Sequence, residues 1–306
     1  MKKKLLILKK VIKKVNSFFY YLVWNRIIKI YINILYPIKF SIRKSQFMKK
    51  EDNNNKIIVS LTSIPSRIDK IHYVIKSLLL QSLRPEKIIL WLSEDDFKDR
   101  NNLPKSLNEL LNTNVEVKWC ENIKPHKKYL YTMIENPDAV VITVDDDVFY
   151  RKNLIRDLVE AHKKYPDAII CTRAHKMKFN KDRQLLSYNE WDYEVKGDSK
   201  PSKLLFATGV GGVLYPPNSL DKRAFDVKLI YKLCLNADDV WLKAMQILND
   251  RLVLAIPASK SKYVVGIINA EKIRLSQNNV LNSENDKYIK GVFEKFNITY
   301  FNFMED

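Results

Sequence analysis

The amino-acid sequence predicts an α/β fold: a mostly parallel central sheet with helices on both faces, preceded by an amphipathic helical arm. Three observations predict it. Short apolar runs recur after residue 55, each suited to a strand buried on both faces. Between them, apolar residues fall at spacings of three and four, the period of a helix. Turn-forming stretches separate the two kinds of segment, and alternating strands and helices build a parallel sheet.

The arm comes first. Leu5, Leu8, Ile12, Val15, Phe19 and Leu22 keep helical spacing, and Lys9, Lys10, Lys13 and Lys14 fall largely between them. The uncharged stretch Val15 to Asn25 is shorter than the roughly 20 residues that span a bilayer. Phe18, Phe19, Tyr20, Tyr21, Trp24, Tyr31 and Tyr36 suit the headgroup boundary, so residues 1–50 read as an interfacial anchor on an anionic membrane surface. A signal peptide fits poorly, because Lys interrupts the apolar segment and no small-residue cleavage site follows. A spanning helix over residues 15–38 would bury Arg26 and Lys29. The remaining alternative is a helix packed on its own domain with solvated lysines.

Glu51 to Asn55 reads as a linker, and residues 56–260 as the catalytic domain. Ile57 to Leu61 is the first buried strand. After Thr62-Ser63-Ile64-Pro65, Ser66 and Asp69 approximate a capping box, and Ile71, Val74, Ile75, Leu78 and Leu79 mark a helix. Strands follow at Lys87 to Leu92, Val115 to Trp119 and Ala139 to Val144, with helices around Leu103 to Leu111 and Lys128 to Glu135. Ligands of such sheets bind beyond the carboxyl ends of the strands. Residues 261–306 read as a C-terminal extension packing on or flanking this domain.

Charge narrows the function classes. The chain of 306 residues has 53 Lys and Arg against 35 Asp and Glu, a formal charge of +18. Residues 1–50 hold 14 of the basic residues and no acidic one, so the other 256 residues carry only +4. A nucleic-acid binder usually shows its basic face on the folded domain, and this one does not. Cys120, Cys171 and Cys234 are widely spaced and form no zinc pattern; they read as buried thiols of a reducing compartment.

Three motifs carry the chemistry. The run Val140 to Val144 ends on Asp145-Asp146-Asp147. Three carboxylates at a strand end repel one another unless a cation is present, and an oxygen-only cluster suits Mg²⁺ or Mn²⁺ bridging a diphosphate. The plain alternative is a solvated acidic turn. The aspartyl-phosphate motif of haloacid-dehalogenase-like phosphatases fits poorly, because Phe149 stands where it has Thr or Val. Next, three of the six glycines, Gly209, Gly211 and Gly212, crowd into ATGVGGVLYPP. They suggest close backbone approach to a ligand or positive φ, or else a bulge needed only for packing. Finally, Ala237-Asp238-Asp239-Val240-Trp241 opens a helix with Leu242, Met245 and Leu248 on its apolar face. One carboxylate there is explained as a cap or dipole partner; the other is a candidate general base.

Taken in order, IIVSLTSIPSRI, KIILWLSEDD, KPHKKYL, AVVITVDDDVFY, FATGVGGVLYPP and ADDVWLKAMQ resemble the GT-A (Rossmann-like) glycosyltransferases, in particular bacterial family-2-like enzymes of surface-polysaccharide and lipopolysaccharide synthesis. The resemblance implies a nucleotide-sugar donor, favouring UDP, and a glycan or lipid-linked acceptor. It places Thr62, Ser63 and Arg67 on the nucleotide, Glu94 and Asp95 at the base, and Lys128 near the diphosphate. Asp145 and Asp146 belong to the donor side, Asp145 and Asp147 are the metal pair, Gly211 and Gly212 line the acceptor side, and Asp239, beside Asp238, deprotonates the acceptor with inversion. No His follows Asp239, so a third protein ligand to the metal is not identified. The implied location is peripheral, on the cytoplasmic face of the bacterial inner membrane. The alternatives are a nucleotidyltransferase that makes nucleotide sugars, although TSIPSR is not its GxGxR-like loop, a non-catalytic glycan-binding protein, and a membrane adaptor.

Overall fold

A computed structural model describes residues 56–304 apart from 101, 196, 198–199, 258–263 and 268–283, together with Ile27, Ile30, Ile34 and Ile38. Those four isoleucines are helical and exposed. The rest of the arm and the Glu51–Asn55 linker lie outside the described residues. Among the described residues no helix is long and apolar enough to cross a membrane.

The apolar runs form the centre of a seven-stranded sheet. β1 (Ile57–Thr62) lies between β2 (Lys87–Ser93) and β4 (Val140–Thr143), and β3 (Val115–Cys120) continues beyond β2, all parallel. On the other side β9 (Val213–Tyr215) runs antiparallel between β4 and β6 (Ile169–Cys171), and β10 (Val253–Ala255) closes the sheet parallel to β6. The sheet is therefore mostly parallel, as the sequence predicts. Its one antiparallel strand is too short, between Gly212 and Pro216, to stand out in the sequence.

Alternate residues of each strand enter opposite apolar layers. Ile57, Val59 and Leu61 join one layer with α1 (Ile71–Leu79) and α4 (Leu154–Lys164). Ile58, Ile89 and Trp91 face the other way, where Tyr131 of α3 (Lys127–Glu135) packs. That side continues into a large layer built on α6 (Asp238–Leu248), with Trp241 at 0% exposure. α7 (Glu284–Phe296) packs on α6 and on α5 (Val227–Leu233), its Ile289, Val292 and Phe293 buried and Phe296 5.9 Å from Trp241. Two ribbons flank the sheet: β5 (Val148–Tyr150) with β11 (Val264–Gly266), and β7 (Ala174–Lys176) with β8 (Leu205–Ala207). All three cysteines are buried free thiols.

Two local expectations fail. The Ser66 capping box does not form. Arg67 N–H closes a turn on Ile64 O, and the chain enters a 3-10 turn, Ile68–Lys70, at Arg67 with no side-chain cap. The helix expected over Leu103 to Leu111 is one turn, α2 (Lys105–Asn108). The chain then breaks into turns before Asn112-Thr113-Asn114, where the Thr113 hydroxyl donates to Leu110 O. Such residues compete with helix by bonding nearby backbone.

Candidate active site

β4 ends at Thr143, and the chain turns through Asp145, Asp146 and Asp147 into β5. The three carboxylates diverge. Asp146 turns inward and is 6% exposed; it accepts from Ser63 Oγ at 2.6 Å and from Arg67 Nη1 at 2.6 Å. Burial pushes its carboxyl up, with Arg67 and Ser63 pulling against that shift. The middle residue thus ties the loop after β1 to the loop after β4. Asp147 Oδ2 lies 3.6 Å from the same Arg67 Nη1. Asp145 accepts from Lys128 Nζ at 3.0 Å.

Lys128 joins this turn to the start of α6. Its ammonium is 3.0 Å from Asp145 Oδ1 and 2.8 Å from Asp238 Oδ2, and the residue is 5% exposed. Burial alone would lower its pKa; Asp145, Asp238 and Asp239 outweigh burial and hold the group charged. Its neighbours fix its position. His126 Nε2 donates to Cys234 O at 2.8 Å, and Tyr129 hydroxyl donates to Ala224 O at 2.9 Å, so both sides of Lys128 are fastened to the segment leading into α6.

Asp238 and Asp239 behave differently. Ala237 is the N-cap of α6, and neither carboxylate forms a side-chain cap there. Both acids stand in the first turn of α6, where the dipole-partner reading places one of them, and both also make tertiary contacts. Burial would raise the Asp238 pKa, but Lys128, then His126, holds it below the usual carboxylate value. Asp239 accepts the Gly209 backbone N–H at 3.2 and 3.3 Å. Burial, then the Asp238 charge, pushes its carboxyl up to about 7.

The glycine loop divides its work. A Cβ on Gly209 would lie 2.7 Å from Lys128 Nζ and 3.4 Å from both Asp145 Oδ1 and Asp239 Oδ1, so this glycine faces the charged cluster. Gly211 faces Thr172, whose hydroxyl donates to its carbonyl at 2.7 Å. Gly212, at φ +91°, faces Leu154. Of the three, Gly209 is the one against the carboxylates, although Gly211 and Gly212 were expected on the acceptor side. Tyr150 couples the two loops: its phenolic oxygen accepts Asp145 N–H at 2.7 Å and its hydroxyl donates to Val210 O at 3.3 Å.

The structure separates the other expected residues. Ser63 and Arg67 reach the acidic turn, whereas the Thr62 hydroxyl donates to Trp91 O at 2.8 Å and joins β1 to β2. Glu94 pairs with Arg100 at the surface, and Asp95 is exposed. The next residue, Asp96, is the organised one. It accepts from Asn122 Nδ2 at 3.1 Å, and the buried Lys127 donates to Asn122 Oδ1 at 3.1 Å. Tyr150, Gly209, Asp96, Asn122 and Lys127 were not singled out as site residues. Gly209 reads in the sequence only as one of the glycine cluster, and Asp96, Lys127 and Tyr150 stand inside the quoted motifs without a role assigned to them; Asn122 gives no sequence signal of its own.

The two residues expected to hold a metal each lie against a cation of the protein, Asp145 at 3.0 Å from Lys128 and Asp147 at 3.6 Å from Arg67. Asp145 and Asp147 offer oxygen only, and Mg²⁺ or Mn²⁺ commonly takes one or two carboxylates and completes its shell with phosphate and water. Among the described residues no group of three or more His, Cys, Asp or Glu side chains converges on one point.

No family model and no curated protein matches the chain. Among solved structures it is similar to residues 1–349 of S. aureus TarS in complex with UDP, at 14% identity and a TM-score of 0.43, over 80% of this chain and 73% of that one. A likeness at this level carries no functional weight.

Proposed function

We propose that this protein is an inverting glycosyltransferase that moves a sugar from a nucleotide-sugar donor, a UDP-sugar, to a hydroxyl of a glycan or lipid-linked acceptor. The observation that carries the reading is the pair of opposed environments at the start of α6. Asp238 is held ionised by Lys128, while Asp239 beside it is raised to about 7 against the Gly209 amide. Two neighbouring carboxylates, one ion-paired with a lysine and the other against a backbone amide, are set in environments that suit different acid–base roles. In this reaction the acceptor oxygen bonds to the anomeric carbon as the bond from that carbon to the diphosphate oxygen breaks. The acceptor proton passes to Asp239, and the electron pair leaves with the nucleoside diphosphate.

Arg67 and Lys128 place two cations beside the acidic turn, where a departing diphosphate needs compensation. Asp145 and Asp147 would hold Mn²⁺ or Mg²⁺, which when bound supplies further charge neutralisation to that leaving group. The arm would keep the protein on the cytoplasmic face of the bacterial inner membrane, its 14 basic residues on anionic headgroups and Ile27, Ile30, Ile34 and Ile38 among the acyl chains.

The test is a panel of nucleotide sugars incubated with the full-length protein and Mn²⁺, with products separated and identified. Release of UDP from at least one donor supports the reading. Release of pyrophosphate from a nucleoside triphosphate and a sugar phosphate would make it a nucleotidyltransferase. Glycan binding without turnover of any donor would make it a binding protein.

A further inference from the structure

The loop that holds Asp239 is fastened on its far side to an aromatic group that the proposed chemistry does not use. Thr208 precedes Gly209, whose amide holds Asp239. The Thr208 hydroxyl accepts from Arg173 Nη1 at 2.9 Å, and Arg173 Nε donates to Glu194 at 3.0 Å. Glu194 N–H donates to His175 Nδ1 at 3.0 Å, which leaves the proton of the neutral imidazole on Nε2. Tyr193, next to Glu194, lies over His175 with ring centroids 4.4 Å apart, and Tyr188 lies edge-on to both at 5.7 Å. A short series of direct contacts therefore leads from the carboxylate to a cluster of rings. The charge of Asp239 is also felt at the Tyr188 phenol, where it is the largest contribution after burial.

This cluster is stiff and partly open. The turn carrying Tyr193 is pinned to β7 by backbone bonds at Asp192 and Val195. Trp191, Tyr188 and His175 are buried beneath it, whereas Tyr193 is 43% exposed. Its hydroxyl donates to Asn189 at 3.1 Å, which further fixes the ring. A rigid aromatic ring offered to solvent beside polar groups suits a ligand with an apolar face and a polar rim, as a sugar ring has. Arg173, partly exposed, adds a donor-rich edge on the side toward Thr208.

We infer that Tyr193, backed by His175, is a stacking subsite for a sugar ring of the acceptor, on the Arg173 side of Asp239. The inference rests on the glycosyl-transfer reading and deepens it, because it assigns the acceptor a carbohydrate ring at this position. Tyr193 binds, and the reacting hydroxyl belongs nearer to Asp239.

The test uses full-length wild type, Tyr193→Ala and Tyr193→Phe. Each is applied, with UDP and Mn²⁺, to an array of neutral and phosphorylated oligosaccharides, and the strongest binder is then titrated in solution. UDP affinity is measured alongside by calorimetry. Tyr193→Ala is expected to weaken that oligosaccharide about tenfold with UDP affinity unchanged. Tyr193→Phe keeps the ring and is expected to bind as wild type does. An unchanged oligosaccharide affinity in Tyr193→Ala, or a wild type that binds UDP but no oligosaccharide, overturns the inference. A wild type that does not bind UDP overturns the donor reading itself.

Discussion

Lys128 Nζ lies 2.8 Å from Asp238 Oδ2, and that ion pair joins α3 to the first residue of α6. The same ammonium reaches the partly exposed Asp145, and removing it leaves the buried Asp238 carboxylate without its cation. Breaking a buried pair by deleting one partner typically costs about 3–5 kcal/mol. Lys128→Met should therefore lower the melting temperature clearly. Adding Asp238→Asn to it should restore part of the loss, which differential scanning fluorimetry can follow. An unchanged melting temperature in the single variant would mean that the pair does not join the two segments.

Gly209→Ala tests the close approach of backbone to charge. The new Cβ would meet Lys128 Nζ at 2.7 Å, and that contact is the tip of a flexible side chain. The fold should survive while the cluster shifts. Misplacing a catalytic group by about 1 Å can cost about 10²-fold in rate, and turnover should fall on that scale. Circular dichroism and kinetics on the same sample check both halves.

The Asp239 carboxyl is raised to about 7, above the ordinary 3.8. A raised folded-state value means that folding favours the protonated form. Its contribution to stability is complete below the ordinary carboxylate range and is lost as pH rises to about 7. Activity runs the other way, because a base must be ionised. Turnover should rise about tenfold from pH 6 to a plateau near pH 8. Asp239→Asn should remove the inflection from both the rate profile and the stability profile.

Deleting residues 1–50 removes 14 basic residues and no acidic ones. The truncated protein should lose binding to vesicles of anionic lipid while still binding UDP. Binding of the full chain should weaken with added salt, since the surface attraction is screened. Flotation assays at two salt concentrations decide this. A truncated protein that is insoluble would show instead that the arm packs on the domain.

The elements that the sequence shows well are those dominated by one physical demand. Ile57 to Leu61 and Val140 to Val144 are almost wholly buried, and that demand selects runs that are apolar but for Ser60 and Thr143. The DDVW helix is likewise marked by its buried Leu242 and Met245. What the sequence hides is direction. Asp145, Asp146 and Asp147 are three identical letters, yet one meets Lys128, one is buried against Ser63 and Arg67, and one lies 3.6 Å from that same Arg67. Neighbours in sequence point differently only because distant elements pull them. The same holds for Gly209 against Gly211 and Gly212, and for Asp96 against Glu94 and Asp95. Tyr193 left no mark, since a single tyrosine in a loop gains meaning only from His175 and Arg173 beside it.

The central claim is that Asp239 takes the acceptor proton, and the most direct measurement compares turnover with UDP affinity in wild type and Asp239→Asn at pH 8. Turnover of the preferred UDP-sugar should fall by about 10²-fold or more, the scale of general-base catalysis, while UDP binds with unchanged affinity. Equal turnover in the two proteins, or a loss explained entirely by weaker UDP binding, would contradict the account.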